Sequence, residues 1–144
     1  MRGVADPVQQ RRSWYRYLLT SPLGEPALAW DDFAFVDRLS ADWSPAFTPD
    51  PAHIAQVKDV LRAPGAALAA ASYYKHLLLP ELQDPALASA SSRFGTAALG
   101  MPALYLHGAD DGCIGAEVVP GTGHFLHLES PAVINARILE FLAS

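Results

Sequence analysis

Apolar residues recur along the first two thirds of the chain at the three- and four-residue intervals of a helix face, and near residue 100 the texture changes to short apolar runs broken by glycine. Trp14, Tyr17 and Leu18 share one stripe, which the Ser21-Pro22-Leu23-Gly24 turn ends. Pro26 suits the first turn of a second helix that puts Leu28, Phe35 and Leu39 on one face. Trp30 and Phe33 then point elsewhere, so this helix is expected to need cover on both sides. Asp50 followed by Pro51 is an N-cap signal for a third helix, with Ile54, Val57 and Leu61 as its buried stripe and Pro64-Gly65 as its stop. A fourth runs over Ala66 to Leu79 until Pro80 ends it, and residues 81–100 read as a connector with a short helix. Ala103-Leu104-Tyr105-Leu106-His107, between Pro102 and Gly108, predicts a strand buried on both faces of a parallel sheet. Glu117-Val118-Val119 predicts a second, shorter strand. Ser130 caps a last helix from Pro131, with Ile134, Ile138, Phe141 and Leu142 on one face. The expected class is α/β: a helical region with its connector over 1–92, then a strand-and-helix region over 93–144.

Composition narrows the field. In 144 residues, 51% hydrophobic and 17% charged positions are too apolar for a disordered chain. The apolar stretches fall well short of the ~20 residues of a membrane span. A formal charge of -5, with basic residues scattered apart from Arg11-Arg12, excludes a nucleic-acid footprint. Neither nucleic acid nor membrane is an expected partner. The single Cys113 makes no internal disulfide and the first residues lack the apolar core of a secretory signal, so the expected address is the cytoplasm.

Chemistry enters at the two loops that follow the predicted strands, His107-Gly108-Ala109-Asp110-Asp111-Gly112 and Pro120-Gly121-Thr122-Gly123-His124-Phe125. Sites in open α/β sheets lie beyond the carboxyl ends of the strands. A carboxylate on one tip and an imidazole on the next would pair, the carboxylate holding Nδ1–H so that Nε2 faces a reacting group as base. The plain alternative is that Asp110 and Asp111 cap a turn and His124 is a satisfied loop histidine.

Leu104 to Asp111, followed by Val119-Pro120-Gly121-Thr122-Gly123-His124-Phe125-Leu126-His127-Leu128-Glu129-Ser130-Pro131, resembles the C-terminal end of an α/β-hydrolase of the epoxide hydrolase and haloalkane dehalogenase group. The Gly-His-Phe-x-His-x-Glu-x-Pro run is the most specific part. The resemblance implies that Asp111 is the triad acid and His124 the triad histidine. Arg12-Ser13-Trp14-Tyr15, Trp43-Ser44-Pro45 and Tyr73-Tyr74-Lys75 resemble the helical cap of the same group. It also implies that Tyr74 matches one of two cap tyrosines that hydrogen-bond an epoxide oxygen. The partner position holds Leu18, with Tyr17 about 100° around the helix, so Tyr74 is open to catalysis or to packing.

Two departures from the family pattern matter. The nucleophile elbow and oxyanion donors belong upstream of Met1, so the N-terminal sheet and elbow of the fold are expected to be absent. Gly108-Ala109-Asp110-Asp111-Gly112 matches an elbow string but leads toward Glu117-Val118-Val119 rather than into a helix. From Gly108 to Glu117 is ten residues, too short for an ordinary parallel crossover with its helix. The expectation is a hydrolase of a small apolar organic substrate, an epoxide, haloalkane or ester, truncated and inert alone because nucleophile and oxyanion hole are missing. The alternative is a non-catalytic binding or assembly fragment that self-associates through apolar faces or pairs with another chain. His124, His127 and Glu129 offer metal-ligand types without a companion cluster, so neither metal nor other cofactor is expected; His127 and Glu129 read as residues that fix the loop. Cys113 has no basic neighbour to make it reactive.

Overall fold

The computed structural model describes residues 5–93, 98–114 and 119–144. In order, its helices are α1 (Pro7–Arg12), α2 (Trp14–Thr20), α3 (Gly24–Trp43), α4 (Pro51–Arg62), α5 (Ala66–Leu78), α6 (Ala88–Arg93), α7 (Leu126–Glu129) and α8 (Pro131–Leu142), with 3-10 turns at Pro80–Leu82 and Pro85–Leu87. The helix starts follow their caps. Asp6, Asp50 and Asp84 each accept a hydrogen bond from the backbone amide two residues on, and a proline follows each in the first turn. Ser13 separates α1 from α2, and the stripe of Trp14, Tyr17 and Leu18 lies wholly in α2.

α2 lies against both α3 and α5, and α4 packs on the same two helices. Between them sit Tyr15, Leu19, Leu28, Phe33 and Phe35, with Cys113 brought in from the C-terminal segment. Aromatic edges close this core: Trp14 meets Phe35 at 5.6 Å between ring centroids, and Tyr15 meets Trp43 at 5.0 Å and Tyr74 at 5.6 Å.

α3 is two right-handed stretches joined by a left-handed turn. Trp30 is extended (φ -59, ψ 140), and Asp31, Asp32 and Phe33 all have φ between 48 and 59. The turn resets the helical phase: Phe33, expected on a different face from Leu28 and Phe35, joins them in one core at 7% exposed, while Trp30, expected to be covered with it, is left 76% exposed. Asp32 is carried outward to Arg62 of α4.

The expected α/β class is corrected: the described residues are helical and turn structure, without a strand or sheet. Gly108 and Val119 form a single parallel bridge, made by Val119 N–H to the His107 carbonyl (2.7 Å) and Ala109 N–H to the Val119 carbonyl (2.9 Å). The ladder stops there because Asp110 N–H turns instead to the Thr122 carbonyl at 2.9 Å. Among the described residues no further strand lies beside this pair, and a short parallel pairing alone gains too little to build a sheet. Ala103, Leu104 and Tyr105, expected to be covered on both faces, are exposed. Glu117 and Val118 of the second expected strand lie outside the described residues. The sheet of an α/β-hydrolase fold is therefore not what the described residues build. No described helix is long and apolar enough to cross a membrane.

Candidate active site

The C-terminal segment is fastened to the end of α3 by polar contacts. The Trp43 carbonyl accepts from the amides of both Gly112 (3.0 Å) and His124 (3.1 Å), so one backbone oxygen ties the two motif-bearing loops together. Both loops come in too close to tolerate a side chain. A Cβ on Gly112 would overlap the Asp42 carbonyl, and one on Gly123 would lie 2.7 Å from Ser44 Cα. Glu129 completes the fastening: Ser44 Oγ donates to its Oε1 at 2.8 Å and Gly123 N–H to its Oε2 at 2.7 Å. Ser44 Oγ in turn accepts from Phe125 N–H at 3.3 Å.

Within this frame Asp111 is 4% exposed. Its Oδ1 accepts from the amides of Cys113 (2.6 Å) and Ile114 (3.1 Å), closing the turn it sits in. Its Oδ2 lies 3.0 Å from His124 Nδ1 and 3.2 Å from His107 Nε2. With the carboxylate as acceptor, both nitrogens carry the proton. His107 Nε2 also lies 3.1 Å from the Ile114 carbonyl, and its Nδ1 is left to accept from the Tyr105 hydroxyl at 3.1 Å. His124 rests against Trp43, 4.7 Å between ring centroids, and its side chain is 30% exposed. Its Nε2 makes no hydrogen bond to a described residue.

Of the residues the motifs single out, Asp111 and His124 are thus brought together. Asp110 is exposed and takes part through its backbone. Among the described residues the Tyr74 hydroxyl bonds neither member of the pair; its half-buried ring stands edge-on to Tyr15, on the side of Cys113. Burial raises the pKa of the Tyr74 hydroxyl. His127 is exposed, while Glu129 bonds both flanking segments.

Two close companions are not placed at the site by the sequence, which reads Cys113 only as an unreactive thiol. His107 was visible only as part of a motif string, although a histidine four residues before an aspartate can fold back on it around a glycine turn. Cys113 lies 3.3 Å from the Tyr15 hydroxyl and is 3% exposed. Burial pushes its thiol pKa up, the Tyr15 hydrogen bond lowers it in part, and the Asp111 charge raises it again. A thiol so placed is a poor nucleophile. One ligand-type atom from each of Asp111, Cys113 and His124 lies within 4.8 Å of the other two.

A mainly apolar cavity of about 100 Å³ lies beside Phe125, lined by Val36, Phe47, Ile54, Val57 and Leu128 among others and by neither Asp111 nor His124. A larger groove of about 520 Å³ runs between α3 and α4, where Lys58 pairs with Asp37 at 2.6 Å and Arg62 with Asp32 at 2.6 Å. Its cations are neutralised by the groove's own carboxylates. No family model and no curated protein matches the chain.

Proposed function

We propose that Asp111 and His124 are the acid and histidine of a hydrolytic site of the epoxide hydrolase and haloalkane dehalogenase type, acting on a small apolar organic substrate in a reducing, cytoplasmic setting. Asp111 holds the Nδ1–H tautomer, and His124 Nε2 takes a proton from water or a serine. The observation that carries this reading is the buried Asp111 carboxylate 3.0 Å from His124 Nδ1, on a partly exposed ring whose Nε2 bonds no described residue.

Within these 144 residues no elbow string leads into a helix, so the pair has no covalent nucleophile to activate. The chain alone is expected to give no turnover of aryl esters or of styrene-oxide-like epoxides above buffer. Turnover that disappears in His124→Ala would overturn this inertness. The pair itself is tested by nitrogen-15 NMR of the histidine side chains at neutral pH: His124 should be the Nδ1–H tautomer, reverting in Asp111→Asn. An Nε2–H tautomer in the unaltered chain would overturn the assigned roles.

A second reading, an assembly fragment, draws on α8. Among the described elements it packs only on α7, and Val133, Leu139 and Leu142 are exposed. On this reading the chain self-associates, and its size-exclusion volume shifts with concentration.

A further inference from the structure

We infer that Asp111, Cys113 and His124 form a binding site for one divalent cation of the zinc class. Ligand-type atoms of the three already lie within 4.8 Å of one another, and Asp111 Oδ2 and His124 Nδ1 are 3.0 Å apart. Around a tetrahedral zinc, oxygen, nitrogen and sulfur ligands sit roughly 3.3–3.6 Å from each other, so the set closes on a cation with shifts of about an ångström. A thiolate, an imidazole and a carboxylate together suit zinc; magnesium and calcium take oxygen ligands.

The surroundings hold two of these ligands as a metal site requires. Asp111 is fixed by the amides of Cys113 and Ile114 on Oδ1 and by His107 Nε2 on Oδ2. The Tyr15 hydroxyl, 3.3 Å from Cys113 Sγ, is placed to donate to a thiolate. Such outer hydrogen bonds orient ligands and tune their basicity. Asp111 and Cys113 are buried while the His124 side chain is 30% exposed, which leaves the His124 side for entry and for a water as fourth ligand.

This inference does not rest on the acid–base reading. Coordination through Nδ1 replaces the hydrogen bond to Asp111 and leaves the proton on Nε2, so His124 cannot serve as a base while the cation is bound. The two uses of the site exclude each other.

The test is titration of the metal-stripped 144-residue chain with cobalt(II), followed by displacement with zinc(II). Cys113 is the single cysteine, so a thiolate-to-cobalt charge-transfer band reports this site alone. The expected result is a band that saturates at one equivalent and is removed by zinc. It should be abolished in Cys113→Ser and saturate at roughly 10–100-fold higher cobalt in Tyr15→Phe, which keeps the ring. Absence of the band in the unaltered chain overturns the proposal, with no variant needed. So does cobalt binding that persists unchanged in Cys113→Ser and His124→Gln, which would assign it to exposed histidines such as His53, His76 and His127. The tautomer of His124 in metal-free protein judges the acid–base reading separately.

Discussion

Tyr15, Leu19, Leu28, Phe33, Phe35 and Ala71 are buried in α2, α3 and α5, and their rings and alkyl groups fill the space between the helices. From residue 98 onward the buried apolar residues among those described are Cys113 and Ile134, and His107, Asp111 and Thr122 are buried with them. The first region is held by burial of apolar surface, which is non-directional and tolerant of small shifts. The second is held by carbonyls and carboxylates: Trp43 O on two amides, Asp111 on two amides and two imidazoles, Glu129 on Ser44 and Gly123. Directional bonds of this kind set atoms to within a few tenths of an ångström. That suits a site better than a core, and it fails all at once when one contact is displaced.

The comparison is broken most strongly from the helical side. Leu19 is 3% exposed among the core rings, so Leu19→Ala is expected to cost about 3 kcal/mol of global stability. Urea denaturation followed by helix content should show the midpoint fall for the whole molecule, since the C-terminal segment docks on what Leu19 supports. A loss confined to residues 98–144 would show that the two regions are not built in that order.

The next effect comes from the other region. Gly112→Ala drives a methyl group into the Asp42 carbonyl and separates the loop from the end of α3. The expected cost is about 2 kcal/mol, taken as local opening. Amide exchange at position 112 and at His124, both bonded to Trp43 O, should speed up while α2 and α5 keep their protection. Gly100→Ala, where a Cβ meets open space, should leave exchange unchanged. Equal loss of protection in the helices would refute the division.

The same division explains what could be read from the chain. Caps and breakers act locally, so Asp50-Pro51 and Pro80 marked α4 and the end of α5 within a residue or two. The apolar run Ala103 to His107 resembles a buried strand only when partner strands cover it; one bridge pair covers nothing, and Ala103, Leu104 and Tyr105 face out. At the site, motif spacing named Asp111 and His124. Cys113 and His107 join them through a turn that Asp111 itself closes and through the carbonyl of Trp43 in another helix, and no periodicity encodes such contacts. The turn inside α3 was equally hidden, because a left-handed segment shifts the phase of every later apolar position.

That turn supplies the smallest and sharpest prediction about the helical side. Left-handed backbone costs an L-residue roughly 1–2 kcal/mol, less for aspartate than for bulkier side chains. Asp32 and Phe33 each give something in return, an ion pair with Arg62 and a ring in the core. The Asp31 side chain, exposed at φ 48, makes no hydrogen bond or ion pair with a described residue that would compensate. Asp31→Gly removes the steric cost but loosens the unfolded chain, and the balance is an expected gain of about 0.5–1 kcal/mol. Asp32→Gly, which also loses the Arg62 contact, should gain less, and Phe33→Gly should lose several kcal/mol through its cavity. Urea midpoints in that order would establish that the left-handed turn is maintained by Phe33 burial against local strain. A destabilising Asp31→Gly would mean that the backbone at 31 is not strained, and that packing in α3 carries no such burden.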